Sequence, residues 1–281
     1  MDRLKHVDVT FWYSGWLFPA IIPTLAVNKM SSRPDHATRN TDHASRITAI
    51  IPALDEALTI ADVVAAIPHD LVDSIIVVDN GSTDDTAQIA RAASARVVHE
   101  PRRGYGFACH AGARAAGDVD ILVFLDGDGA DDPREISRLA DPILAGQADL
   151  VIGSRERGER EPGALLPHAR LGNWLAAWLM RWLYGLQVTD LGPFRAIRRS
   201  VLEALHMQEM TYGWPTEMMV KAARQGYRVT EVPVSYRRRA GGESKISGTL
   251  RGTVLAAYYI LGTTLRYAWV GQQELRETKG N

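Results

Sequence analysis

The feature that most constrains this chain is a rhythm. Short, wholly apolar runs lead into acidic residues, and a helix-length segment follows each run. Ile75, Ile76, Val77 and Val78 stand in a row before Asp79, and Ile121, Leu122, Val123, Phe124 and Leu125 stand before Asp126. A strand with one wet face alternates apolar and polar residues, so an unbroken apolar run marks a strand covered on both faces. The pattern predicts strands over residues 47–51, 74–79, 96–99, 121–125 and 150–152. It predicts helices over 55–67 (stopped by Pro68), 83–93, 106–116 and 136–144. Repeated βα units of this kind imply an α/β fold with a mainly parallel, doubly wound sheet. The second half departs from the rhythm. A Trp-rich helix is expected over 169–184, strands over 194–197 and 229–236, a helix over 215–225 and a helical stretch over 249–268. This half reads as an elaboration of the same domain.

Bulk properties remove several classes. With 281 residues, 46% of them apolar, the chain can bury one large core. A formal net charge of −1 gives no bias toward nucleic acid. Cys109 is the single cysteine, which excludes a disulfide framework and a cysteine zinc site and fits a reducing cytoplasm. Residues 7–27 are apolar and aromatic behind Arg3, Lys5 and His6, but Pro19 and Pro23 interrupt them and no small-residue cleavage site follows. Residues 1–46 are therefore expected to be a poorly structured leader, with Met30 as an alternative start. The apolar stretch 254–270 contains Arg266 and is shorter than the ~20 residues of a membrane span, so a surface-lying or core helix is expected. The catalytic domain is set at 47–270, and 271–281 is a polar tail.

In open parallel sheets, ligands bind beyond the carboxyl ends of the strands. Three acidic clusters fall there: Pro52-Ala53-Leu54-Asp55-Glu56, then Asp79 with Asn80 to Asp84, then Asp126-Gly127-Asp128. One such Asp is commonly a turn or helix-capping residue. Three in consecutive units point to one crevice. Asp126 and Asp128 flank a glycine that permits a tight turn, and paired carboxylates suit a hard cation such as Mg2+ or Mn2+. Such a cation bridges a diphosphate and offsets charge on a departing nucleotide. The surrounding spacing does not fit an EF-hand. Gly104-Tyr105-Gly106 gives only a partial dinucleotide fingerprint, because Cys109 stands where a third glycine belongs. Gly104 is read instead as a loop position where backbone approaches a nucleotide. A Walker lysine motif is absent from the sequence.

Taken in order, these motifs resemble family 2 glycosyltransferases of the GT-A fold. Within that family they are similar to the polyprenyl-phosphate (dolichol-phosphate-type) glucosyl- and mannosyltransferases. The resemblance runs from about residue 47 to 265. It implies a Rossmann-like, mainly parallel twisted sheet flanked by helices, with acceptor-side helices toward the C-terminus. It implies that Pro52, Ala53, Leu54 and Glu56 belong to the opening donor motif, with Asp55 where Asn is commoner. By the same likeness Asp79 accepts hydrogen bonds from the nucleobase, Asp126 and Asp128 hold Mg2+ or Mn2+ with Gly127 between them, and Gly153-Ser154-Arg155 is a further motif. Relatives often carry Gln two residues after the second metal aspartate; here Ala130 stands there, and Asp131 or water is left to fill the role. Later segments also match: Asp190 to Arg195, Trp214 to Met218, and the basic run Arg237, Arg238, Arg239 leading to Ser244 and Lys245. Arg pairs bidentately with phosphate and Lys supplies a point charge. Arg237, Arg239, Ser244 and Lys245 are therefore expected to clamp a donor diphosphate or an acceptor phosphate.

The chemistry implied is inverting displacement at the anomeric carbon of a UDP- or GDP-linked sugar. A hydroxyl acceptor needs a general base; a phosphate acceptor is already anionic near neutral pH. Glu217 is the expected base or acceptor-orienting group, with Asp190 and Arg155 as further catalytic candidates. Leu171, Leu175, Leu179 and Leu183 recur at every fourth position beside Trp174, Trp178 and Trp182. That stripe fits either packing on the core or contact with a bilayer interface. A lipid-linked acceptor, polyprenyl phosphate first, is expected for a cytoplasmic enzyme lying peripherally on the inner face of the membrane. A hydroxyl acceptor is the alternative; a sugar nucleotidyltransferase and an inactive nucleotide-binding module rank below it.

Overall fold

A computed structural model describes residues 45–239 and 260–267. The leader 1–44, the segment 240–259 and the tail from 268 onward, with Ser244 and Lys245, lie outside the described residues. Among the described residues, seven strands form one sheet in the order β3-β2-β1-β4-β6-β5-β7. They are β1 (Ile47–Ala53), β2 (Ser74–Asp79), β3 (Arg96–His99), β4 (Ile121–Phe124), β5 (Leu150–Ser154), β6 (Arg195–Arg198) and β7 (Val229–Pro233). The helices are α1 (Ile60–Ala66), α2 (Thr86–Ala92), α3 (Tyr105–Ala115), α4 (Ile136–Leu144), α5 (Pro167–Tyr184), α6 (Arg199–Ala204) and α7 (Trp214–Arg224). Residues 260–267 are helical as well.

Both faces of the sheet are covered, as the unbroken apolar runs require. In β2, Val77 packs on one side among Ile60, Val64 and Ala90 from α1 and α2. Ile76 and Val78 pack on the other side with Ala108 and Cys109 of α3, together with Met218 and Val220 of α7. Each such side chain contributes about 1.5–3 kcal/mol on burial. Helix α3 lies especially close, because a Cβ on Gly112 would sit 2.4 Å from Ile50 Cγ2.

Three differences from the predicted elements matter. First, α1 begins at Ile60 and α2 at Thr86, several residues later than periodicity suggests. The intervening residues are taken by hydrogen bonds between the two loops, described below. Second, β6 runs antiparallel to both β4 and β5. The sheet is thus mainly parallel with one reversed strand, and β7 ends at Pro233, not at 236. Third, α5 buries only Ala176, Ala177 and Met180. Leu171, Trp174, Leu175, Trp178 and Trp182 are exposed, and the rings of Trp178 and Trp182 stack with centroids 6.1 Å apart. The core-packing reading of that stripe is therefore corrected. Among the described residues, no helix is long and apolar enough to cross a membrane.

Candidate active site at the carboxyl edge of the sheet

Strands β1, β2 and β4 are parallel and in register, so their carboxyl ends open onto one edge. The reversal of β6 between β4 and β5 returns β5 to the same direction, which brings Ser154 and Arg155 to that edge too. The loops beyond these strands are stitched together by polar side chains. Asp55, at φ 52°, accepts from Thr83 N at 2.7 Å, while its own N–H donates to Ser82 Oγ at 3.1 Å. Glu56 N donates to Thr86 Oγ1 at 2.8 Å, and Thr59 Oγ1 donates to the Gly127 carbonyl at 2.7 Å. Pro52 and Ala53 pair with Val78 and Asp79 in the β1–β2 register, and Leu54 follows at the strand end. The first acidic cluster is thereby tied to the second and the third.

Asp79 accepts from Ser82 N at 2.8 Å and lies 3.1 Å from His99 Nδ1. Burial raises its carboxyl, but the Ser82 hydrogen bonds and His99 outweigh this and hold it below the usual carboxylate range. Next to it, Asn80 holds the loop after β3: Nδ2 donates to the Glu100 and Arg102 carbonyls at 2.9 and 2.7 Å, and Oδ1 accepts from Gly104 N at 2.9 Å. Gly104 has φ +151°, and a Cβ there would fall 2.5 Å from the Met210 carbonyl oxygen. The close approach satisfied by Gly104 is thus to the chain's own loop at Met210.

Asp126 and Asp128 follow β4. Asp126 keeps part of its surface open, yet protein atoms crowd its carboxyl. This burial, and then the negative charge of Asp128, push it up to about 7. Asp128 is 2% exposed; its Oδ1 accepts from Ala130 N at 2.9 Å and its Oδ2 from Arg239 Nε at 2.8 Å. Arg237 N donates to the Ala130 carbonyl at 2.8 Å and its guanidinium to Asp132 at 2.8 Å. The basic run therefore lies along the acidic loop. Asp131 is 4% exposed, and its Oδ1 has no hydrogen-bond partner. Burial and the charges of Asp126 and Asp128 hold Asp131 well above its ordinary value. Crowded carboxylates and an orphaned buried oxygen fit a divalent cation, which Asp126 and Asp128 would hold. Among the described residues, no three His, Cys, Asp or Glu side chains are gathered into a metal-ligating group.

The three expected catalytic side chains are placed differently from expectation. Asp190 is fully buried and receives Arg155 twice, from Nε at 2.8 Å and Nη2 at 2.7 Å, with Arg155 N at 2.8 Å besides. Burial raises the Asp190 carboxyl, but Arg155 outweighs it and keeps it below the ordinary range. Arg155 also lies 5.0 Å from the centroid of the Tyr236 ring. Asp190 thus positions Arg155, and it has no open face toward an acceptor proton. Glu217 is also fully buried. It accepts from Gln208 N and Glu209 N (2.7 Å), from the Tyr267 hydroxyl, and from Lys221 Nζ at 2.9 Å. Burial raises this carboxyl, and its hydrogen bonds overcome that and leave it lowered, the opposite of what a general base near neutral pH needs. In this arrangement Glu217 fastens the 208–210 loop, which in turn packs on Gly104 and Gly106.

Arg195 was missed as a site residue by reasoning on the sequence. It is fully buried at the start of β6, where Nη1 donates to the Pro215 carbonyl at 2.8 Å and Nη2 to the Leu191 and Gly192 carbonyls. Burial pulls it down to about 10. It joins the loop carrying Asp190 to the start of α7. The signal was available as an arginine inside the otherwise apolar Phe194–Ile197 run. Outside this edge, a groove of about 570 Å³ runs beside α5, lined by Trp174, Trp178, Arg170 and Arg181 and reaching Glu156 and Thr189.

Sheet order, edge and acidic loops together define a GT-A fold with the layout of a sugar-transferring enzyme. The family model of Glycosyl transferase family 2 matches residues 48–205, and the chain belongs to that family. It is 42% identical over 212 residues to an uncharacterised glycosyltransferase of Mycobacterium tuberculosis, covering 75% of this chain and 94% of the relative. It is 34% identical over 242 residues to the undecaprenyl-phosphate mannosyltransferase of Micrococcus luteus, covering 79% and 96%. Among solved structures it is similar to glucosyl-3-phosphoglycerate synthase from Mycobacterium tuberculosis in complex with Mn2+, UDP-glucose and phosphoglyceric acid. That similarity has a TM-score of 0.64 at 27% identity and covers 80% of each chain.

Proposed function

We propose that this glycosyltransferase transfers a hexose, with inversion, from a UDP- or GDP-linked sugar to a lipid-linked acceptor, polyprenyl phosphate in the first instance. The observation that carries the donor half is the meeting of Asp126 and Asp128 with the Asp79 loop at one sheet edge, beside Arg237 and Arg239. A divalent cation, Mg2+ or Mn2+, offsets the charge of the leaving diphosphate when bound. Asp126 and Asp128 would hold that cation, and Arg237 and Arg239, paired with Asp132 and Asp128 in this structure, would bind the phosphates. Pro52, Ala53, Leu54 and Glu56 frame the nucleotide, and Asp79 accepts from the base. Ser244 and Lys245, which follow the basic run in the sequence, are assigned to the same donor phosphates. The solved relative bound to Mn2+ and UDP-glucose supports this half.

For the acceptor, both carboxylates expected to act as a base are committed to internal partners. A phosphate oxygen needs no such base, since it is already anionic near neutral pH. The groove beside α5 presents apolar rings with Arg170 and Arg181 among them, and it reaches Thr189, next to Asp190. An apolar path with cations suits an isoprenoid chain ending in phosphate. The enzyme then works on the cytoplasmic side, lying on the membrane through this face. A hydroxyl acceptor is the second reading, favoured by the phosphoglyceric acid in the solved relative.

The test is a donor panel of UDP- and GDP-sugars with Mn2+ or Mg2+, offered polyprenyl phosphate or phosphoglyceric acid. The expected result is transfer of one sugar to the lipid phosphate, lost in EDTA and in Asp128→Ala. Undiminished transfer by Asp128→Ala would defeat the donor assignment; transfer to phosphoglyceric acid alone would defeat the acceptor assignment.

A further inference from the structure

Position 130 is an alanine packed to 1% exposure, so it brings no ligand to a cation at Asp126 and Asp128. The neighbouring residue is different. Asp131 is 4% exposed, its Oδ1 makes no hydrogen bond, and the charges acting on it most strongly are those of Asp126 and Asp128. A buried carboxylate oxygen without a donor, beside two others of the same sign, is costly unless something positive shares the space. The cation whose charge opposes this is the Arg155 guanidinium, and that group is bound twice by Asp190. Backbone pairing with Tyr236 fixes the residue where it stands, so the carboxylate is held in position by main chain.

We infer that Asp131 is a positioning residue for the divalent cation, accepting a hydrogen bond from water on the ion held by Asp126 and Asp128. The inference rests on the cation assignment made above. Mg2+ in particular keeps several of its waters and takes few protein carboxylates. Groups that hydrogen-bond to metal-bound ligands typically change metal affinity by about 10- to 100-fold.

The experiment measures Mn2+ affinity by electron paramagnetic resonance on the full chain, with saturating UDP or GDP, for wild type, Asp131→Asn, Asp131→Ser and Asp128→Ala. Thermal midpoints in EDTA are recorded for each. The expected result is Mn2+ affinity about 10- to 100-fold weaker in both Asp131 variants, with midpoints in EDTA equal to or above wild type, because a buried carboxyl with an unpartnered oxygen has gone. A residue needed only for folding would instead lower those midpoints, and that outcome overturns the inference. So does unchanged Mn2+ affinity in the Asp131 variants when Asp128→Ala has lost it, which leaves the cation assignment standing. Failure of wild type to bind Mn2+ with either nucleotide removes both.

Discussion

Gly104 and Glu217 both contact the 208–210 loop, and each makes a separate prediction. Replacing Gly104 by Ala forces a φ near +151° on a residue with a Cβ and drives that atom to 2.5 Å from the Met210 carbonyl. The cost should be about 1–3 kcal/mol, read as a lower midpoint in chemical denaturation; an unshifted midpoint would show that the loop moves aside freely. Glu217→Gln should lose about 1–3 kcal/mol of stability from broken charged hydrogen bonds, while transfer per folded molecule stays of the same order. A large fall in kcat with stability intact would restore Glu217 as a base. The strand-end acids were legible from sequence because each follows an apolar run that fixes its edge. Glu217 and Asp190 were not legible in role. Their partners Tyr267 and Arg155 stand 50 and 35 residues away, and no local pattern reveals such pairings.

At the scale of elements, α5 carries the clearest expectation. Its Leu and Trp positions were visible as a stripe, but a helical period shows only that residues share a face. It does not tell whether protein, lipid or water covers that face. Replacing Trp174, Trp178 and Trp182 by Ser should cut sedimentation with vesicles containing anionic lipid, and should alter the thermal midpoint little because these side chains are about half exposed. Unaltered vesicle binding would remove the helix from the lipid-side account. The late starts of α1 and α2 show a different limit of sequence reading. Ser82, Thr83, Asp84 and Thr86 hydrogen-bond across to residues 55–57 in preference to extending their own helices. Such polar residues compete with helix backbone for hydrogen bonds.

For the molecule as a whole, acid should be destabilising, and its sign follows from Glu100. The Arg102 hydrogen bonds lower its carboxyl from 4.5 to about 2, against the opposing effect of burial. A carboxylate lowered in the folded state contributes stability above its unfolded pKa and loses it as pH falls through the folded value. The window is therefore pH 4.5 down to about 2. Glu100→Gln should reduce the loss of unfolding free energy there by about 1 kcal/mol, since the exposed Arg102 is screened by solvent. An equally steep fall in the variant would place the acid sensitivity elsewhere. The α/β class and the strand positions of the first half could be read from apolar runs. The reversed β6 could not, because a four-residue strand carries no mark of its direction.

That reversal has a practical outcome. Since β5 leaves at the crevice and β6 re-enters there, the span between Arg155 and Phe194 begins and ends beside the reacting groups. It carries α5 and the groove without contributing a strand to the nucleotide half. Swapping this span as a cassette between relatives tests whether it selects the acceptor proposed above: the accepted molecule should change while the sugar nucleotide used stays the same.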